Sequence, residues 1–292
     1  MTPAILVETH SHTRLCKHAL GEPTDYAAAA HRRGWDGLIV TCHNPMPDGF
    51  SRQARMELAE FPEYLRLVFQ ARHDWQGRVD VRLGLECDYF PGYEGWVEQQ
   101  LQTADFQYVL GSVHPQTAEF EARYWDGDAV AFQRTYFRSL AEAAETGLFD
   151  CLSHPDLVKN TTYDRWRPEV VMDDIRRALD RIAATGVSLE LNTSGVQKEI
   201  AEMNPFPQML VEMRQRGIHV VIGGDAHQPN RVGDGFPEAL DLLEQCGYEQ
   251  ISLYLDRVRQ DVPIAVARAA LAGRTVSVTP SPPPPSRSGF PA

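Results

Sequence analysis

The sequence predicts an α/β protein folded as a (β/α) barrel, and three observations support this fold class. Short apolar, β-branched runs alternate with longer amphipathic stretches, which is the pattern of repeated βαβ units with a parallel sheet. Glycines such as Gly34, Gly147, Gly186 and Gly217 directly follow amphipathic stretches, as expected where helices end. Seven or eight such units within 292 residues favour a barrel over an open sheet.

Each predicted strand is a short apolar run. Seven are predicted at 5–9, 37–42, 81–87, 108–113, 149–153, 187–192 and 218–223, with a further short run at 251–254. Helical periodicity between them predicts helices at 25–33, 52–73, 95–103, 128–145, 169–184, 207–216 and 237–246. Residues 1–275 are therefore predicted to form one barrel domain, and the proline-rich stretch 276–292 is predicted to be an extended or disordered tail.

Composition and charge exclude several classes of protein. Hydrophobic residues make up 43% of the chain and charged residues 23%, which is typical of a soluble globular protein. With 28 Lys plus Arg against 40 Asp plus Glu, the net charge of −12 disfavours binding to nucleic acid. No apolar run approaches the ~20 residues of a membrane helix. Five cysteines without a C-x-x-C pair predict reduced thiols and a cytoplasmic location, and the oligomeric state is left open.

Histidines and two acids recur where the predicted strands end. In a parallel barrel these ends all meet at one rim, which is where barrel active sites lie. The set comprises His10, His12, His18, His43, Glu86, His114, His154, Asp225 and His227. Neutral imidazoles and carboxylates suit zinc, manganese or iron, and nine groups exceed the three or four protein ligands of a single catalytic zinc. The sequence therefore predicts a centre of two or three metal ions.

Four further residues lie near these predicted ligands. Cys42 and Cys87 flank two of them, but side chains alternate along a strand, so both cysteines are predicted to be packing residues. The chain contains only three lysines, and Lys159 and Lys198 are predicted to contact a phosphate group at the rim. Several divalent ions beside such contacts favour hydrolysis of a phosphate ester, because they activate water and stabilise the oxygens of a displacement at phosphorus.

The residues around the predicted ligands form seven motifs. In order along the chain they are THSHTRLCKHA at 9–19, TCHNP at 41–45, GLECDY at 84–89, GSVH at 111–114, SHPDL at 153–157, ELNTSG at 190–195 and GGDAH at 223–227. From about residue 1 to 275 the sequence resembles the PHP superfamily of polymerase and histidinol phosphatase domains. Within that superfamily it is similar to the histidinol-phosphatase branch, and the length is expected to leave no room for a polymerase.

This resemblance implies a distorted seven-stranded (β/α) barrel that holds three divalent metal ions. Carried over onto this sequence, the first ion would be held by His10, His12, Glu86 and Asp225, the second by Glu86, His114 and His154, and the third by His18, His43 and His227. A hydroxide held between the ions beside Glu86 and Asp225 would attack phosphorus. The implied activity is hydrolysis of L-histidinol phosphate to L-histidinol and phosphate in histidine biosynthesis.

Alternatives remain open at this point. The sequence is also compatible with a PHP phosphoesterase for another small phosphate or a nucleotide. A metal-binding module without turnover and a barrel with purely structural histidines are further alternatives. The complete ligand set argues against a module that has lost its activity, because none of the expected ligand positions is substituted.

Overall fold

The computed structural model describes residues 5–273, so the predicted proline-rich tail lies outside the described residues. Within that range the chain forms nine β-strands and ten α-helices. The strands are β1 Val7–Glu8, β2 Gly37–Val40, β3 Asp80–Asp88, β4 Tyr108–Ser112, β5 Cys151–Leu152, β6 Ser188–Asn192, β7 Val220–Gly223, β8 Gln250–Leu255 and β9 Val258–Pro263. The helices are α1 Pro23–Arg32, α2 Phe61–Trp75, α3 Glu94–Leu101, α4 Ala118–Tyr124, α5 Ala129–Glu145, α6 Val158–Thr161, α7 Pro168–Thr185, α8 Pro207–Gln215, α9 Phe236–Gln245 and α10 Ile264–Ala272.

The strands form one sheet in which each strand pairs with the next one along the chain. Strands β1 to β8 are parallel, and only β9 runs antiparallel, as the second strand of a hairpin with β8. Parallel neighbours require a crossover, and helices supply it between most consecutive strands. The predicted α/β class with a parallel sheet is confirmed.

The sheet curls into a distorted barrel because its first and seventh strands meet beyond their ends. Ser11, after β1, forms a parallel bridge with Ala226, after β7. The backbone N–H of His12 donates to the Ala226 carbonyl at 3.0 Å, and the Ala226 N–H donates to the His10 carbonyl at 2.9 Å. Strand β8 joins β7 through the single pair Val221 and Ser252, so the β8–β9 hairpin branches from a seven-stranded ring.

The core lies on both faces of the sheet. Every residue of β2, β4, β6 and β7 is buried, as expected for parallel strands covered by helices outside and by side chains inside. Helix α5 belongs to this covering layer and is capped at its first turn. The Asp128 carboxylate accepts hydrogen bonds from the N–H groups of Val130 and Ala131 at 2.8 and 3.2 Å. That cap satisfies two of the backbone donors that the first turn of a helix leaves free.

Most predicted elements are confirmed, and the differences have physical reasons. Each of the seven predicted strands overlaps an observed one. The helix predicted at 52–73 begins only at Phe61, because Pro62 lacks an N–H and is tolerated in the first helical turn but not in the interior. Strand β9 was not predicted, since most of its residues are exposed and it has no apolar pattern. No helix between residues 5 and 273 has the length and apolar character needed to cross a bilayer.

We expect Gly84→Ala to destabilise the barrel, because a Cβ at this position of β3 would lie 2.7 Å from Thr41 Cγ2 and 2.9 Å from the Tyr108 carbonyl oxygen. Overpacking of this kind costs about 1–3 kcal/mol of unfolding free energy. The control is Gly95→Ala in α3, where a Cβ meets nothing within 4 Å. There alanine stabilises a helix by up to about 1 kcal/mol. Urea unfolding of both variants measures the difference, and equal stability of the two would contradict the packing described for β3.

Candidate metal centre

All nine predicted ligands lie at the carboxyl-terminal rim of the barrel. His10 and His12 follow β1, and they are fixed in place by the bridge that joins Ser11 to Ala226. A second isolated bridge pairs His43, after β2, with Glu86 in β3. His18 lies in the same loop as His12, and the remaining members follow β4, β5 and β7, as the sequence predicted.

The carboxylate of Glu86 lies at the middle of the group. It is fully buried, and ring nitrogens of five histidines from four strand ends approach it. The distances to its oxygens are 2.8 Å from His43, 3.3 Å from His154, 3.5 Å from His10, 3.5 Å from His114 and 3.6 Å from His12. A charge buried in this way needs compensation by cations, and five imidazoles around one carboxylate form an arrangement that could hold metal ions.

Asp225 forms a second carboxylate focus. Its Oδ1 lies 3.1 Å from Nε2 of His12, 3.7 Å from Nε2 of His10 and 3.3 Å from Nδ1 of His227. The ring of His18 lies beside them, with its centroid 4.6 Å from that of His227. The structure therefore brings both acids and all seven histidines into one contiguous group.

Two residues of the group have a strained backbone. His154 has φ of 28° and Asp225 has φ of 48°, in the left-handed region that L residues rarely adopt. Such strain costs about 1–3 kcal/mol and persists where the surroundings impose it, most often at functional sites. Here it turns each side chain from the end of its strand towards Glu86 or His12.

The unsatisfied atoms of the group fit a set of cations. Nε2 of His10, Oε2 of Glu86 and Nε2 of His227 are buried and make no hydrogen bond. Unpaired buried polar atoms are costly, and several of them at one place indicate ligands for an ion. Donor atoms within 4.8 Å of one another are found in the groups His10–His12–Glu86, His43–Glu86–His114 and His12–His43–His227. His18 shares a further such group with Cys16 and His227.

The outer nitrogens of two histidines are held by acids that the sequence analysis missed. Nδ1 of His10 lies 2.7 Å from Oε1 of Glu190, which is fully buried. Nδ1 of His114 lies 2.5 Å from Asp88, whose second oxygen pairs with the buried guanidinium of Arg55 at 2.5 Å. A carboxylate on the outer nitrogen fixes the tautomer and leaves the other nitrogen free for a metal. Asp88 was detectable, because it follows Glu86 by two residues on the same strand face.

The acids and histidines shift one another's protonation. Burial raises the pKa of Glu86, but the charges of His43 and His10 outweigh it and hold that pKa well below its usual range. Burial lowers the pKa of His12 and of His114, yet the bond to Asp225 raises the first to about 9 and the charge of Asp88 raises the second to about 10. Burial lowers the pKa of His43 to about 4. In the absence of metal, Asp225 and Asp88 thus keep the rings of His12 and His114 protonated.

A cavity of about 810 Å³ opens above the group. Its floor is lined by seven of the nine predicted ligands, namely His18, His43, Glu86, His114, His154, Asp225 and His227. Its walls include Asn160, Ser194, Gln197, Lys198, Glu199 and Arg231. Nζ of Lys198 lies 3.9 Å from Oδ2 of Asp225, so this lysine extends over the centre. A cavity of this volume is in the range that binds small molecules.

Lys159, the other predicted phosphate contact, does not reach the cavity. It is fully buried, and its Nζ lies 3.0 Å from Asp156 Oδ2 and 3.1 Å from Glu202 Oε2. The same ammonium donates to the Met203 carbonyl at 2.8 Å. All three of its N–H donors therefore have partners within the protein.

The chain is similar to known proteins both in sequence and in fold. The family model of the PHP domain matches residues 8–194. A probable histidinol-phosphatase of Deinococcus radiodurans is 40% identical over 83% of this chain and 94% of its own length. The histidinol-phosphatase of Bacillus subtilis is 27% identical over 81% of this chain and 98% of its own length. The histidinol phosphate phosphatase of Lactococcus lactis, solved with zinc, L-histidinol and phosphate, has a TM-score of 0.74 at 18% identity, covering 88% of this chain and 99% of that one. The last comparison shows a common fold.

Binding of divalent metal to the metal-free protein is expected to release protons near neutral pH. The pKa values of about 9 for His12 and about 10 for His114 keep both rings protonated there, whereas a metal ligand must be a neutral imidazole. Metal affinity should therefore rise with pH up to these values. Titration calorimetry in buffers of different ionisation enthalpy measures the protons released, and the same heat in every buffer would show that none leave.

Proposed function

The chain belongs to the PHP-domain family, and on this basis we propose that it is a metal-dependent phosphomonoesterase that hydrolyses L-histidinol phosphate to L-histidinol and phosphate. The observation that carries the proposal is the convergence of five histidines on the buried carboxylate of Glu86 beneath an open cavity. The relative that is 40% identical over 83% of the chain supports the choice of substrate. The reaction is a step of histidine biosynthesis.

The nine rim residues are the proposed metal ligands. We assign His10, His12, Glu86 and Asp225 to a first ion, Glu86, His114 and His154 to a second, and His18, His43 and His227 to a third. Nitrogen and oxygen donors of this kind suit zinc, manganese or iron. When bound, such ions activate water at neutral pH and stabilise negative charge on the attacking and leaving oxygens.

The protein's own part in the reaction is to hold the ligands and to orient the substrate. Glu190 and Asp88 fix the rings of His10 and His114, so that each presents one nitrogen to the centre. Arg55 holds Asp88 in turn. The ammonium of Lys198 lies over Asp225, where it would donate a charge-assisted hydrogen bond to a phosphoryl oxygen. The remaining wall of the cavity would receive the amine and imidazole of the substrate.

We also propose that the enzyme acts in the cytoplasm. All five cysteines are free and buried, which is the usual state in a reducing compartment. The partner implied by the cavity is a small phosphate ester rather than a macromolecule.

The proposed substrate predicts strong discrimination among phosphate esters. With protein that contains more than one equivalent of divalent metal, we expect kcat/KM for L-histidinol phosphate to exceed that for a generic aryl phosphate by at least about a hundredfold, or roughly 2.7 kcal/mol. The reason is that recognition of the amine and imidazole adds to metal chemistry that both esters share. Phosphate release from a panel of phosphomonoesters measures the ratio. If the two kcat/KM values lay within a factor of about three, the proposed substrate would be wrong, and another small phosphate or a nucleotide would take its place.

The two lysines are expected to differ when each is replaced by methionine. Lys198→Met should lower kcat/KM by about ten- to a hundredfold with little change in Tm, because a charge-assisted bond to an anion contributes roughly 1.5–3 kcal/mol. Lys159→Met should instead lower the unfolding free energy by about 3–5 kcal/mol, since it leaves the buried Asp156 without its cation. Steady-state kinetics and thermal unfolding of both variants test this contrast. Wild-type kinetics in Lys198→Met would refute the proposed phosphate contact.

A further inference from the structure

Two buried thiols lie directly behind the ring of His12. Cys16 ends a 3₁₀ turn, Arg14–Cys16, and Cys42 follows β2; neither side chain is exposed. The two Sγ atoms and a ring nitrogen of His12 all lie within 4.8 Å of one another. Cys42 is buried as predicted, but it faces a proposed metal ligand rather than apolar side chains alone.

The ring of His12 has one nitrogen for the centre and one for the thiols. Its Nε2 faces Asp225 Oδ1 at 3.1 Å and Glu86 Oε2 at 3.6 Å, whereas its Nδ1 is buried and makes no hydrogen bond. The outer nitrogens of four other rim histidines all have oxygen partners: Glu190 for His10, Asp88 for His114, and backbone carbonyls for His18 and His227. His12 differs from these four in that its outer nitrogen has no oxygen partner and two sulfur atoms lie beside the ring.

Two thiolates and one imidazole nitrogen are the donors that soft cations prefer, whereas the rim above them offers nitrogen and oxygen. Donors bound to one zinc-sized ion lie about 3.5–4 Å apart, so a group already within 4.8 Å needs only a small contraction. We propose that His12, Cys16 and Cys42 form a binding site for a thiophilic d¹⁰ cation such as Cd(II), Cu(I) or Zn(II), behind the catalytic centre and joined to it through the His12 ring. Each thiol releases its proton when it coordinates the ion, and the His12 ring also gives up its remaining N–H proton, so that it joins the two sites as an imidazolate.

A chain of donors leads from the cavity to this thiol site. Cys16, His18 and His227 also have donor atoms within 4.8 Å of one another, and both of these histidines line the cavity. A cation entering the cavity therefore meets ligands at each step to Cys42. Because His12 belongs to both sites, occupation of the thiol site should also lower kcat.

The test uses the zinc-loaded holoenzyme with Cd(II) as the probe. One equivalent of Cd(II) should produce an ultraviolet thiolate-to-cadmium charge-transfer band, which nitrogen and oxygen ligands do not give. The band should be absent from Cys16→Ser and from Cys42→Ser. It should remain in Cys87→Ser and Cys151→Ser, since those cysteines are equally buried but belong to none of the donor groups near the rim. Circular dichroism checks that each variant is folded.

X-ray absorption at the cadmium edge tests the same site without any substitution. Two sulfur neighbours and at least one nitrogen are expected in the wild-type holoenzyme. A first shell of nitrogen and oxygen only, no charge-transfer band, or a band that persists in both Cys16→Ser and Cys42→Ser would overturn the proposal. None of these readouts requires turnover, so failure of the phosphatase assignment and failure of the thiol site are distinguishable.

Discussion

The buried negative charge of Glu86 is the constraint on which the rest of the rim depends. A carboxylate inside a barrel is tolerated only when opposite charge or strong hydrogen bonds compensate for its lost hydration. Here five imidazoles from four strand ends surround the carboxylate, so these strands must end at a common level and the residues that follow them must turn inward. The left-handed backbone at His154 and Asp225 is the local cost of this requirement.

A second layer of acids makes the arrangement rigid. Glu190 and Asp88 each bind the outer nitrogen of a histidine, and Asp88 is itself held by Arg55 from the loop after β2. A ring with its outer nitrogen fixed cannot rotate freely, so its inner nitrogen is oriented before any ligand arrives. The rim is therefore organised by groups that never face the cavity.

The placement of the rim residues could be predicted from sequence because it depends on local pattern and on one geometric rule. Apolar runs locate the strands, and parallel strands in a barrel must share one carboxyl end. Lys159 shows where that reasoning ends. Its spacing from His154 suggested the rim, but the ammonium is directed to Asp156 and to Glu202. Glu202 is 43 residues away, and sequence spacing carries no information on that pair. Strand β9 was missed for a related reason, since an exposed edge strand has no apolar alternation to detect.

The bridge between Ser11 and Ala226, which joins the chain after β1 to the chain after β7, has a consequence for how the protein is made. The residues it brings together are far apart in the chain: His12 and Asp225, which meet at 3.1 Å, are separated by 213 positions. Contacts of such long sequence separation form late, and during translation the first of these residues leaves the ribosome long before the second. His10 and His12 are therefore present on the nascent chain before Asp225, the acid that they contact in the folded protein, has been synthesised. Metal binding by the full set of proposed ligands is in this way confined to chains that have been synthesised beyond Asp225 and His227.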